Sequence, residues 1–90
     1  MKYVYPAVFT PAEELDGYYV VTFPDIAGAT QGKDLYEALT MAEEALEMML
    51  SGIESRGEKI PTPTPIKKIQ LSQDAFISFI KADTDKKFLV

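Results

Sequence analysis

The side chains in this chain best suited to chemistry are carboxylates. Asp25 follows Pro24 at the end of an apolar run, and Asp83 and Asp85 close another near the C-terminus. If these groups converged at strand ends, they would hold a hard divalent cation such as Mg²⁺, which is satisfied by oxygen ligands alone. A simpler reading gives each its own turn. An Asp beside a Pro hydrogen-bonds the local backbone, and Asp83 and Asp85 end a strand in solvent. The chain has no His and no Cys. This removes the commonest general base and metal ligand, the thiol nucleophile, Cys-ligated zinc and any disulfide. Gly28 and Gly32 fit neither the dinucleotide-binding fingerprint nor the Walker A spacing. Met41, Met48 and Met49 read as packing or interface filler rather than a cofactor site. No catalytic constellation and no cofactor are expected, and the residues point to binding.

The chain of 90 residues fits one domain, 1–90. Its formal charge of −5 disfavours a nucleic-acid footprint and favours a basic protein partner. The absence of Cys fits a reducing, cytoplasmic setting. The start, MKYVYPAVF, has a lone Lys and an apolar run broken by Pro6, which is no signal peptide. No stretch approaches the roughly 18 apolar residues of a spanning helix, so no membrane role is expected.

Local pattern sets the elements that would position these residues. Residues 2–9, rich in aromatic and branched types, read as a strand, with Pro6 placing it at an edge or on a bulge. Asp16-Gly17 is a turn pair before a second strand, Tyr18 to Phe23, which Pro24-Asp25 ends. Gly28 and Gly32 bracket Ala29-Thr30-Gln31 as a short third strand. Asp34 and Glu37 have the spacing of a capping box. Apolar residues then recur at helical spacing through Leu35, Ala38, Leu39, Ala42, Leu46, Met49, Leu50 and Ile53, and Gly57 is the stop. This predicts a helix over 34–56, about 33 Å long. The opposite face, with Glu37, Glu43, Glu44, Glu47 and Glu54, reads as solvated or as a docking surface for a basic partner. Pro61, Pro63 and Pro65 predict an extended connector, with a Pro-rich peptide ligand as the alternative. Residues 75–82 suit either helix or strand by spacing, and their aromatic and β-branched content favours a strand.

The result is an α+β domain in which one long helix packs on a small, mostly antiparallel sheet. The strands do not alternate cleanly between apolar and polar. Tyr3, Tyr5, Ala7 and Phe9 share one face of the first strand, yet Val4, Pro6 and Val8 occupy the other. One helix covers one face. The second face is therefore either semi-polar surface or a contact with another copy, a partner or the returning connector.

Several stretches together resemble the HicB-like antitoxin family: MKYVYPAVFTP, YYVVTFPDIAGATQG, the acidic-capped DLYEAL with AEEALEMML, and GEKIPTP. The likeness runs over about residues 1–85. It implies a β-β-β-α-β, partial RNase H-like domain without enzymatic activity. It also implies a type II antitoxin that neutralises a small basic HicA-type mRNA interferase by covering its RNA-binding and active surface, and a homodimer or larger homo-oligomer. The turn Phe23, Pro24, Asp25 and Ile26, together with the second sheet face, is the expected partner contact. Ala27 stands where the family commonly has Pro. Too few residues come after the last predicted strand for the DNA-binding domain that many relatives carry, so operator binding is not carried over. The alternatives are a self-associating scaffold or sensor subunit and, more remotely, a metal-dependent nuclease.

Overall fold

The computed structural model describes residues 1–85. In chain order the elements are β1 (Lys2–Pro11), β2 (Tyr19–Phe23), β3 (Ile26–Gly32), α1 (Leu35–Ser55) and β4 (Phe76–Asp83), with a 3-10 turn at Ile66–Lys68 before β4. They form one four-stranded sheet in the order β3-β2-β1-β4, antiparallel throughout. The β-β-β-α-β order and the α+β class agree with the expectation from sequence. The strand reading of the C-terminal run also holds, and β3 is longer than the Gly-bracketed segment suggested.

Pro6 was expected to put β1 at an edge or on a bulge, but β1 lies inside the sheet and pairs with β4 in unbroken register through Pro6. The reconciliation is local. β2 pairs with β1 only from Val8 to Pro11, so at Pro6 the strand has a single ladder partner, β4, where Phe79 lies opposite. A residue without an N–H is tolerated at such a position.

Strand alternation decides which residues form the core. Tyr5, Ala7 and Phe9 of β1, Val21 and Phe23 of β2, and Ile80 and Ala82 of β4 are buried on the face that α1 covers. From the helix, Ala38, Ala42, Leu46 and Leu50 project into this layer at a spacing of four, as an amphipathic helix requires. Phe9, Phe76 and Tyr19 close one end of the core. Phe9 and Phe76 stack at 5.2 Å, and Tyr19 meets Phe76 edge-on at 5.9 Å.

Both helix ends are closed by local chemistry. Asp34 Oδ1 accepts from the Glu37 N–H at 2.8 Å. Glu37 Oε1 reaches back to the Lys33 N–H at 2.9 Å, one residue before the cap. At the other end Gly57 has φ +69. Its N–H donates to the Glu54 carbonyl at 3.0 Å, and the Glu58 N–H donates to the Ile53 carbonyl at 3.1 Å. This pair of bonds is a Schellman closure, which needs a left-handed residue at that position.

The helix can settle on the sheet only because Gly32, the last residue of β3, has no side chain. A Cβ there would sit 2.3 Å from the Ala38 backbone nitrogen and 2.6 Å from its Cα. Both are backbone atoms of the first helical turn and cannot step aside. Gly32→Val should therefore destabilise the fold by about 2–4 kcal/mol, since overpacking here forces a backbone shift. Urea unfolding would read this as a lower midpoint at an unchanged slope.

Candidate functional site

The β2–β3 turn, where a partner contact was expected, lies beside the C-terminal half of α1. Phe23 and Ile26, two of the four residues expected to meet a partner, are only 6% and 7% exposed. They belong to the core, because Phe23 keeps the parity of Val21 and the ladder shifts register between Thr22 and Phe23, bringing Ile26 opposite it. Pro24 is exposed and Asp25 half-buried, so the outward surface of the turn is Pro24 with the neighbouring Ala27.

Asp25 is occupied within the chain. Its carboxylate accepts from the Thr64 N–H at 3.0 and 3.1 Å and from the Thr64 hydroxyl at 2.5 Å. This fixes the Pro-rich connector, which is also held at Pro61, whose carbonyl accepts from the Tyr5 hydroxyl. Burial, and then the nearby Asp25 charge, push the Tyr5 hydroxyl above its ordinary pKa. The segment expected to be an extended surface connector is tied down at two points. Ile60, between the helix and Pro61, packs against the core.

Between the turn, the helix end and the connector lies an open groove of about 560 Å³. Ile26, Met49 and Ile53 supply its apolar floor, and Met48, Arg56 and Lys59 stand at its rim. Gly28 makes the floor possible. Its φ is +145, and a Cβ would lie 2.6 Å from Met49 Sδ, so the thioether rests directly on the β3 backbone. Met48, by contrast, is 71% exposed at the groove's edge.

The glutamate face of α1, read from spacing as solvated, is largely committed to the fold. Glu37 closes the helix start. Glu47 is 6% exposed and accepts from the Asp83 N–H at 3.4 Å. Glu54 Oε2 accepts from the Tyr3 hydroxyl at 2.5 Å. That bond pushes the Tyr3 pKa up to about 12. Tyr3, with help from Thr84, holds Glu54 below the usual carboxylate range. Glu43 and Glu44 remain exposed. Helical periodicity could not reveal this, because the partners of Glu47 and Glu54 lie on β4 and β1.

The three carboxylates considered for a cation are engaged at two separate places. Asp25 binds Thr64, whereas Asp83 Oδ1 and Asp85 Oδ2 lie 4.0 and 2.7 Å from the Met1 amine. Among the described residues no three acidic side chains cluster with the geometry of a metal site. Among the same residues, no helix is long and apolar enough to cross a membrane.

Known proteins are similar to the chain in sequence and in fold. A family model described as HicB_like antitoxin of bacterial toxin-antitoxin system matches residues 5–86. Antitoxin HicB 1 of Photorhabdus laumondii is 39% identical over 88 residues, covering 92% of this chain and 56% of that protein. Antitoxin HicB of Escherichia coli K12 is 40% identical over 74 residues, covering 81% of this chain and 49% of that protein. The chain therefore spans about half the length of these curated relatives. Among solved structures, a chain of a toxin–antitoxin complex from Streptococcus pneumoniae superposes with a TM-score of 0.83 at 27% identity, covering 100% of this chain and 81% of that one.

The ties at this end of the molecule give two measurable outcomes. Thr64→Val removes both the hydroxyl donor to Asp25 and its screening of the carboxylate. It should cost about 1–3 kcal/mol and speed amide hydrogen exchange at residue 64, with the core amides of β1 unchanged. The Tyr3–Glu54 bond sets a pH window. Because Glu54 is lowered in the fold, its contribution is present above the ordinary carboxylate pKa and is lost as pH falls through the depressed value. Because Tyr3 is raised, its contribution is present below the ordinary pKa of 10.0 and is lost as pH rises from there through about 12. Thermal melts of Tyr3→Phe against the parent should therefore converge at both pH extremes and differ between them.

Proposed function

This chain belongs to the HicB-like antitoxin family, and we propose that it is the antitoxin of a toxin–antitoxin pair, binding and neutralising a small basic mRNA interferase of the HicA type. The observation that carries this reading is the family match across residues 5–86. It is supported by the likeness to a chain of a toxin–antitoxin complex and by a formal charge of −5, which steers a basic protein toward this one. Neutralisation would be steric: the antitoxin covers the toxin's RNA-binding and active surface, and no chemistry on either partner is required. We take the chain to act by binding in the cytoplasm, without enzymatic activity, and read its β-β-β-α-β order as a partial RNase H-like arrangement.

The partner contact we propose is the turn Phe23, Pro24, Asp25 and Ile26 with the groove beside it. Phe23 and Ile26 act from beneath, holding the turn's shape, and Asp25 locks the connector against it. The side chains that reach outward are Pro24 and Met48. An exposed methionine beside an apolar groove suits an interface core, where it adapts to the incoming surface and gives up little on desolvation. Glu44 lies one turn before Met48 on the same helix and gives a basic partner an electrostatic anchor.

Co-expression with a small basic HicA-type toxin should yield a complex that survives purification and blocks RNA cleavage. Met48→Asp and Pro24→Asp, both at exposed positions, should weaken that complex by about tenfold or more while leaving the far-UV spectrum and melting temperature unchanged. If the unaltered chain shows no binding, or both variants bind as tightly as the parent, the respective claim about partner or contact fails.

A further inference from the structure

Glu44, Met48, Gly52 and Arg56 follow one another along α1 at a uniform spacing of four. Residues four apart stand one above the other on a helix, so these form a single row, about 18 Å long. Arg56 is the C-cap and keeps a right-handed helical backbone, φ −86 and ψ −3, so the row runs unbroken to its end. It starts with an exposed acid and ends with an exposed base. Between them Met48 stands 71% exposed and Gly52 leaves a notch.

Arg56 is aimed before any partner arrives. A Cβ on Gly52 would come 3.0 Å from Arg56 Nη1, so the guanidinium lies back along the helix over that glycine. Glu58 Oε1 holds it there, accepting from Nε at 2.9 Å. Glycine inside a helix is disfavoured against alanine, and here the missing side chain is the space in which Arg56 lies. Among the described residues, Nε is the only guanidinium nitrogen that donates a hydrogen bond, so the two terminal nitrogens are open. Lys59, on the same rim of the groove, is exposed and forms no ion pair among the described residues. The acids at this end are committed, Glu58 to Arg56 and Asp25 to Thr64. The open charge at this end of the row is therefore positive, whereas at Glu44 it is negative.

A uniformly basic surface would suit Glu44 and be repelled by Arg56 and Lys59. Resting on the antitoxin reading above, we infer that the toxin lies along this row in one direction only. A basic side chain of the toxin meets Glu44, an apolar one enters the groove between Met48 and Gly52, and a carboxylate lands on Arg56 and Lys59. A carboxylate suits that end because the guanidinium fork donates to both of its oxygens at once. Glu58 holds the fork in place beforehand, which lowers the entropy lost on binding. The formal charge of −5 brings a basic toxin in from a distance, and the sign change along the row fixes how it sits.

The test is the affinity for a HicA-type toxin, by titration calorimetry, of the unaltered chain, Arg56→Gln and the swap Glu44→Arg/Arg56→Glu. The swap keeps the formal charge at −5 and reverses the row. Attraction by net charge alone would leave its affinity unchanged, whereas a directional contact should weaken it about a hundredfold, about tenfold for each reversed pair. Arg56→Gln should weaken binding about tenfold. It adds no negative charge at the helix C-terminus, so it decides the matter if urea unfolding shows that the swap disturbs the fold. Carbodiimide coupling of the unaltered complex should join Lys59 Nζ to a carboxylate of the toxin, identified by mass spectrometry. A folded swap that binds like the parent overturns the inference, as do an unchanged affinity of Arg56→Gln and a complex in which Lys59 couples to no toxin carboxylate. In each of these cases the antitoxin reading stands. If the unaltered chain binds no HicA-type toxin, that reading fails and the inference with it.

Discussion

Gly32 and Ala38 meet where the sheet hands the chain to the helix, and the geometry of the rest depends on that contact. With no Cβ on Gly32, the first turn of α1 lies directly against the end of β3. Ala38 and Ala42 keep the approach close, and Leu46 and Leu50 continue the buried stripe. The helix then packs against β3, β2 and β4 on a single face. A sheet with apolar residues on both faces and a helix on only one has surface left to bury. That imbalance connects the fold to association, since exposed apolar patches of this kind mark interaction sites.

A second set of contacts fixes the chain beyond the helix. Tyr3 to Glu54, Tyr5 to the Pro61 carbonyl and Asp25 to Thr64 join the inner strand, the helix end, the β2–β3 turn and the connector. The prolines at 61, 63 and 65 stiffen the connector, and two side chains from elsewhere in the fold, Tyr5 and Asp25, hold it in place. The groove beneath Met48 owes its shape to these ties. A preformed groove lowers the entropy cost of binding, which is how a small domain can hold a partner tightly without a large interface.

Much of this was legible in the sequence, wherever the signal was local. Asp34 and Glu37 marked the helix start, Gly57 its end, and the spacing from Ala38 to Ile53 its buried stripe. The aromatic and branched content of residues 75–82 correctly outweighed their helical spacing. The features that escaped were set by residues distant in sequence. Glu47 and Glu54 looked solvated because their partners are the Asp83 backbone and the Tyr3 hydroxyl, brought near only by the sheet. Phe23 and Ile26, expected at the partner contact, face the core: Phe23 keeps the parity of Val21, and the register shift that brings Ile26 opposite it is not written in composition. Asp25 was recognised as a turn former rather than an acid, but its actual bond spans 39 residues to Thr64.

The contact proposed for a toxin is the groove beside the β2–β3 turn, with Pro24 and Met48 reaching outward. Residue-resolved amide hydrogen exchange tests it most directly, measured on the chain alone and in complex with a HicA-type toxin. Adding the toxin should slow exchange at residues 25–27 and at the helix end around Met48. Protection that appears only elsewhere on the molecule, with the turn and the helix end unchanged, would contradict the assignment.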